Sequence, residues 1–207
     1  ITHMTPEIMD RYEQDIKQQN ITFLRGYPSA LSSFAEYLNS CNRKLPMTAI
    51  FTTAEMLYPH QRKIMEKAFE CSVFDTYGCG DGMGHATECE HHDGLHICFE
   101  NSIMQIVNNQ GEQVKPGEEG EIILTSLYDF AMPLIRYAPG DLAILSDKNC
   151  PCGRNMQLIS KIIGRTSDSF TLSNGRIING LSLPFEDLTE EVEQFQIVQE
   201  ATDQIRV

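Results

Sequence analysis

A chain of 207 residues, 41 % of them hydrophobic, is long enough for one full domain and part of another and apolar enough for a real core. Its formal net charge of −13 argues against nucleic acid or anionic membrane as partners, because counterion release needs Lys and Arg at the contact, yet a nucleotide held by a few local groups stays compatible. No apolar run approaches the ~18 residues of a membrane span, and no charged-then-apolar signal segment opens the chain, so a cytoplasmic location is expected.

The elements follow in chain order. Pro6 near a helix start, then Ile8, Met9, Tyr12 and Ile16 at helical spacing, predict a helix over residues 5–20. Ile21 to Leu24 reads as a short strand, and Gly26 to Ser29 break the chain. A second helix carries Leu31, Phe34, Ala35 and Leu38 on one face. Ala49 to Thr52 is a buried strand, Pro59 starts a helix with Ile64, Met65, Ala68 and Phe69 inward, and Ser72 to Asp75 is a further strand. This alternation predicts an α/β fold with a parallel sheet and crossover helices. After residue 94 the pattern changes. Leu95, Ile97 and Phe99 alternate, and the runs 103–107 and 121–125 flank a turn-rich stretch, which predicts an antiparallel β meander or barrel-like subdomain. A third region begins near Arg165, with a hairpin signal at Asn174-Gly175, an acidic helix over about 184–194 and a strand at 195–198 that starts a small α+β domain. The expected divisions are therefore 1–94, 95–164 and 165–207. Val207 is not a plausible domain end, so truncation is expected.

Three segments carry candidate chemistry. Asp75 to Gly82 leaves a strand and enters a glycine-rich loop, where glycines let a ligand approach the backbone. Tyr77 there can stack on a base, and Asp81 can hold a hydrated cation; a tight turn with a core tyrosine is the plainer alternative. Ala131 to Asp141 ends on an acid that can accept both hydroxyls of a ribose or simply be a solvated turn residue. Ile162 to Asp168 offers Arg165 to ribose or phosphate, or is an ordinary polar linker.

The order and spacing of these segments resemble the adenylate-forming superfamily, and within it the phenylacetate–CoA ligase family with its capsule-biosynthesis (CapK-like) relatives. The resembling stretches are Arg25 to Ser29, Phe51 to Glu55, Tyr77 to Asp81, Glu88-Cys89 with Gly94 to Ile97, Gly117 to Glu121, Ala131 to Asp141, Cys150 to Arg154, and Gly164-Arg165. Each is short, and their shared order carries the resemblance. It implies a reaction in which a carboxylate attacks the α-phosphate of ATP, giving acyl-AMP, and a thiol such as coenzyme A then takes the acyl group. By resemblance, Ala54 and Glu55 line one face of the adenine and Tyr77 covers the other. Gly78 and Cys79 contribute backbone near base and acyl carboxylate. Asp81 stands where a magnesium-holding glutamate is usual, Asp141 takes the ribose hydroxyls, Arg165 follows as a ribose or phosphate contact, and Asp168 lies in the hinge between large and small domains. The implied partners are ATP or AMP, Mg2+, coenzyme A and a small-molecule carboxylic acid, with a homodimer open for a longer parent chain.

Three departures accompany the resemblance. Gly80-Asp81 replaces the usual Ser/Thr/Arg-Glu pair, and Ala138 stands where an arginine is usual. Neither a Ser/Thr/Gly-rich phosphate loop nor a downstream catalytic lysine occurs in the sequence. The chain is therefore expected to be an internal piece of a ligase, inactive alone, with no catalytic residue of its own. A non-catalytic, zinc-stabilised adenylation-fold module is the alternative.

The cysteines give a separate expectation. Cys41, Cys71, Cys79, Cys89, Cys98, Cys150 and Cys152 are odd in number, which favours reduced thiols and metal binding over disulfides. Cys150-Pro151-Cys152 and the Cys89…His96 pair supply four ligands from two turns, as a structural zinc requires. His92, Cys98 and His91 remain as substitutes, and buried thiols with surface histidines remain the metal-free alternative.

Overall fold

The computed structural model describes residues 4–166, 169–171, 177–179 and 197–206. The helices are α1 (Pro6–Gln18), α2 (Pro28–Ser40) and α3 (Pro59–Phe69), each opened by a proline in its first turn, where no N–H partner is lost. Between and after them run β1 (Phe23–Gly26), β2 (Ala49–Thr53) and β3 (Val73–Cys79). These strands pair in parallel, with Phe23 opposite Ala49 and Ile50 opposite Val73. Ile50 and Val73 share one core with Met9, Phe34, Leu38, Met65 and Phe69, so all three helices bury their apolar stripes against the same side of the sheet. Phe51 alternates to the other side and joins a row of rings. Phe23–Phe51, Phe51–Phe74 and Phe74–His92 have centroids 6.4, 5.6 and 5.0 Å apart.

At β3 the sheet changes from parallel to antiparallel. Its last four residues pair with β4 (Gly84–Thr87), Thr76 opposite Thr87 and Cys79 opposite Gly84. Then come β5 (Leu95–Ile97), β6 (Ser102–Val107), β7 (Glu119–Ser126), β8 (Asp141–Leu145) and β9 (Leu158–Arg165). All nine strands form one mixed sheet, ordered β1-β2-β3-β4-β5-β9-β8-β7-β6, so the expected parallel part and meander are continuous. A second core gathers Leu95, Ile106, Ile122, Leu124, Leu145 and Ile159, and Tyr77 and Cys79 pack against it. One strand thus has Val73 in the first core and Tyr77 at the second.

Some sequence expectations shift. The strand expected to end at Asp75 continues to Cys79, because β4 supplies a partner to the stretch taken as loop. The first strand begins at Phe23 and leaves Ile21 exposed, since it follows the register of β2 rather than the apolar run. Around Asn174-Gly175, β10 (Ser169–Thr171) and β11 (Ile177–Asn179) pair antiparallel, and the turn itself lies outside the described residues. Of the strand expected at 195–198, residues 195 and 196 lie outside the described residues and Ile197 is not in a strand; β12 (Val198–Ala201), paired with β13 (Gln204–Arg206), begins at its last residue. The acidic helix expected over 184–194 and the hinge residue Asp168 lie outside the described residues. Among the described residues no helix is long and apolar enough to cross a membrane.

Candidate functional site

Ligands of parallel α/β sheets sit beyond the carboxyl ends of the strands. At that end β3 delivers Tyr77, Gly78 and Cys79, β2 delivers Thr53, and the turn after β2 delivers Ala54 and Glu55. Ala54 has φ +67°, a left-handed conformation that a non-glycine residue rarely holds and that concentrates at ligand-binding sites. Glu55 accepts a hydrogen bond from the Ser29 backbone N–H at 3.0 Å, which fixes this turn to the start of α2.

The glycines after Tyr77 divide by what they face. A Cβ on Gly82 or Gly84 would come within 2.7 or 2.6 Å of the Leu124 side chain, so these two are glycine because β7 crosses them. Gly80 meets nothing within 4 Å, and Gly78 only the Thr53 hydroxyl at 3.9 Å. The backbone at Gly78 and Gly80 is therefore open to a ligand.

Tyr77 is half-buried and its hydroxyl donates to Asp141 Oδ2 at 2.7 Å. Burial first, then the bond to that carboxylate, holds the phenol well above its ordinary pKa, so it stays a donor. Asp141 opens β8 directly opposite Arg165 of β9, and Arg165 Nε lies 3.5 Å from Asp141 Oδ1. Asp81 is exposed, and its carboxylate accepts from the Tyr137 hydroxyl at 3.4 Å. The structure thus brings Tyr77, Asp141 and Arg165 into direct contact, with Gly78 and Cys79 next to Tyr77 on β3. Ala54 and Glu55 stand at the end of the adjacent strand.

A second cluster forms elsewhere in the sheet. The ligand atoms of Cys89, His96, Cys150 and Cys152 all lie within 4.8 Å of one another. Cys89 Sγ is 3.4 Å from Cys150 Sγ, and Cys152 Sγ is 3.5 Å from His96 Nε2. Ligands at zinc bond lengths in a tetrahedron stand about 3.5–4 Å apart. Backbone N–H groups of His91 and Arg154 point at Cys89 Sγ and Cys152 Sγ, each at 3.5 Å, as they do toward thiolates. His96 is 2 % exposed; its Nε2 faces the cluster, and among the described residues its Nδ1 has no hydrogen-bond partner. This donor set fits zinc. Burial raises the Cys152 thiol, but the Arg154 backbone N–H and guanidinium outweigh it and lower its pKa to about 7.

The three substitutes are occupied otherwise. His92 Nδ1 sits 2.9 Å from Glu88 Oε2 and its ring packs on Phe74. Cys98 Sγ contacts the His96 carbonyl at 3.8 Å. His91 reaches the cluster through its backbone N–H.

Sequence reasoning missed the polar network beside this cluster. Arg62 donates two hydrogen bonds to Glu88, at 2.7 and 2.9 Å, and a third to the Val73 carbonyl. Glu88 also accepts from the Asp75 N–H at 2.9 Å, and Asp75 accepts from the Thr52 hydroxyl at 2.7 Å. Glu88 stood in a resembling stretch but had no role, and nothing in the sequence marks Arg62 on the polar side of α3 as its partner.

The nine-stranded mixed sheet with its helices has the fold of solved adenylate-forming ligases. A solved 2-hydroxyisobutyryl-CoA ligase in complex with R3-HIB-AMP superposes with a TM-score of 0.73 at 22 % identity, covering 86 % of this chain and 40 % of that one. An anthranilate CoA ligase in complex with anthranoyl-AMP gives 0.65 at 13 % identity, covering 86 % and 36 %. In sequence the chain is 28 % identical to Protein CapK of Staphylococcus aureus over 99 % of this chain and 45 % of that protein. It is 29 % identical to the phenylacetate–coenzyme A ligase of Thermus thermophilus, over 75 % of this chain and 36 % of that one. With the ligase of that name from Escherichia coli it shares 33 % over 65 % and 30 %. No protein-family model matches. The chain resembles the adenylate-forming family in sequence and in fold, and it spans less than half the length of these curated relatives.

Proposed function

We propose that this chain supplies the adenine and ribose side of an AMP-forming acid–thiol ligase, in which a carboxylic acid is adenylated by ATP and passed to coenzyme A or another thiol. The observation that carries the reading is the Tyr77–Asp141–Arg165 contact beside the open backbone of Gly78 and Gly80. Both Asp141 oxygens have donors at hand, so the carboxylate is held in place before a ribose arrives. Ala54 and Glu55 flank the base. Asp81, exposed and bonded to Tyr137, is an acid available to a magnesium ion carried by the nucleotide. The related ligases crystallised with acyl-AMP support this reading. One carboxylate plus one base platform should give about 4–5 kcal/mol, a millimolar to submillimolar Kd. Titrating AMP into the isotope-labelled chain should shift amides of Tyr77, Gly78 and Asp141. Shifts confined to other strands would remove the reading.

We also propose one zinc ion per chain, held by Cys89, His96, Cys150 and Cys152 in a closed structural site. It joins the turn before β5 to the β8–β9 connection, and β8 and β9 carry Asp141 and Arg165 at their other ends. When bound, the ion supplies folding free energy rather than reaction chemistry.

A further inference from the structure

Beyond Cys79 the cleft continues away from Asp141. It is an open depression of about 490 Å3 lined by Arg25, Thr53, Cys79, Met83, His85 and Asn101 together with the glycine backbone. Its position follows from the fold. Arg25 lies next to the carboxyl end of β1, Thr53 ends β2, Cys79 ends β3, and His85 returns on β4. In an acyl-adenylate the nucleotide and the acyl tail project to opposite sides of the phosphate, and this cleft adjoins Gly78 and Cys79 without including Asp141.

The chemistry of the lining is unlike that of a pocket for an aryl acid. Apolar ligands are held by predominantly hydrophobic and aromatic walls. Among the described residues no ring of Phe, Tyr or Trp lines the cleft, and Met83 and Cys79 are its apolar side chains. Against them stand a guanidinium, an imidazole, an amide and a hydroxyl. Arg25 enters none of the ion pairs found among the described residues. His85 is held below its ordinary pKa by burial first and the Arg25 charge second, with Glu100 opposing more weakly. Of the two charges that act on His85, Arg25 therefore outweighs Glu100.

We infer that the acid this chain helps to activate carries a second anionic group at the far end of its tail, which pairs with Arg25 and accepts hydrogen bonds from His85 and Asn101. This deepens the ligase reading and rests on it. A planar guanidinium with no ion-pair partner among the described residues suits a carboxylate or phosphate oxygen pair. A phenyl tail at the same place would leave Arg25 desolvated and unpaired.

The test is calorimetric titration of the full 207-residue chain with three non-hydrolysable acyl-adenylate mimics. They are sulfamoyl adenosines bearing a glutaryl, a phosphonopropionyl or a phenylacetyl tail, with AMP as reference. The inference expects at least one anionic tail to bind ten-fold or more tighter than the phenylacetyl tail, and the better of the two identifies carboxylate or phosphate as the natural group. Arg25→Ala, at an exposed position where folding is not at stake, should erase that advantage and leave AMP affinity unchanged. Equal binding of all three mimics, or tighter binding of the phenylacetyl one, overturns the inference while sparing the nucleotide site. Failure of AMP to bind at all overturns the ligase reading, and the inference with it.

Discussion

Tyr77 donates its hydroxyl to Asp141 Oδ2 at 2.7 Å although 64 residues separate them, which joins the end of the parallel half of the sheet to the start of β8. A hydrogen bond to a charged acceptor contributes about 1.5–3 kcal/mol. Tyr77→Phe should therefore lower unfolding stability in urea by about 1–2 kcal/mol with an unchanged m-value. An unchanged midpoint would show that the contact is not formed in solution.

Metal content is the second expectation. Protein purified without added zinc should carry one equivalent, and Cys150→Ser and His96→Ala should each lose most of it. Zinc sites contribute on the order of 10 kcal/mol to the folding of small peptides. A strong chelator should accordingly raise amide exchange across residues 89–97 and 150–158, with α1 and α2 less affected. Content below a tenth of an equivalent in the unmodified chain would reduce the cluster to packed thiols.

Arg62 links α3 to the hairpin that bears Cys89. Its head is 23 % exposed and the Glu88 carboxylate 10 %, so the pair is largely shielded. Removing one partner of a buried pair costs about 3 kcal/mol or more. Arg62→Ala should show that loss in thermal or chemical denaturation, whereas Arg11→Ala, in a solvated pair with Asp15, should change little.

Asp75 gives a pH dependence. Burial raises its pKa above the ordinary carboxylate value, the Thr52 hydroxyl lowers it in part, and the Glu88 charge raises it further. A raised folded-state pKa means that the native state binds the proton more tightly. The associated stability is present below the unfolded value near 4 and is lost as pH rises through the folded one. Asp75→Asn keeps an acceptor for Thr52 and removes the charge. It should raise the Tm at pH 7 and lose that advantage near pH 3.5. A variant less stable than the parent at pH 7 would contradict the burial argument.

Much of this was legible in the sequence because local signals and tertiary outcome agree. The proline-opened helices, β2 and the runs at β6 and β7 satisfy period and punctuation at once. The four clustered metal-ligand candidates were readable because two short stretches, residues 89–96 and 150–152, each present two ligands. What stayed hidden depends on partners distant in sequence. Tyr77 to Cys79 read as loop because nothing local marks β4 as their partner. Gly82 read as part of a glycine-rich loop open to a ligand, although the side chain that requires it, and Gly84 beyond it, is Leu124 on β7. The Arg62–Glu88–Asp75 network joins three elements through side chains whose types alone suggest only a solvated surface.

The most direct test of the account pairs one carboxylate with two hydroxyls. AMP and 2′,3′-dideoxy-AMP should be titrated into the unmodified chain and into Asp141→Ala. Asp141 as the ribose acceptor predicts that AMP binds the unmodified chain at least ten-fold more tightly than the dideoxy nucleotide, and that Asp141→Ala binds both alike, at the weaker value. Equal loss of affinity for both nucleotides in the variant, or no loss for AMP, would contradict the account.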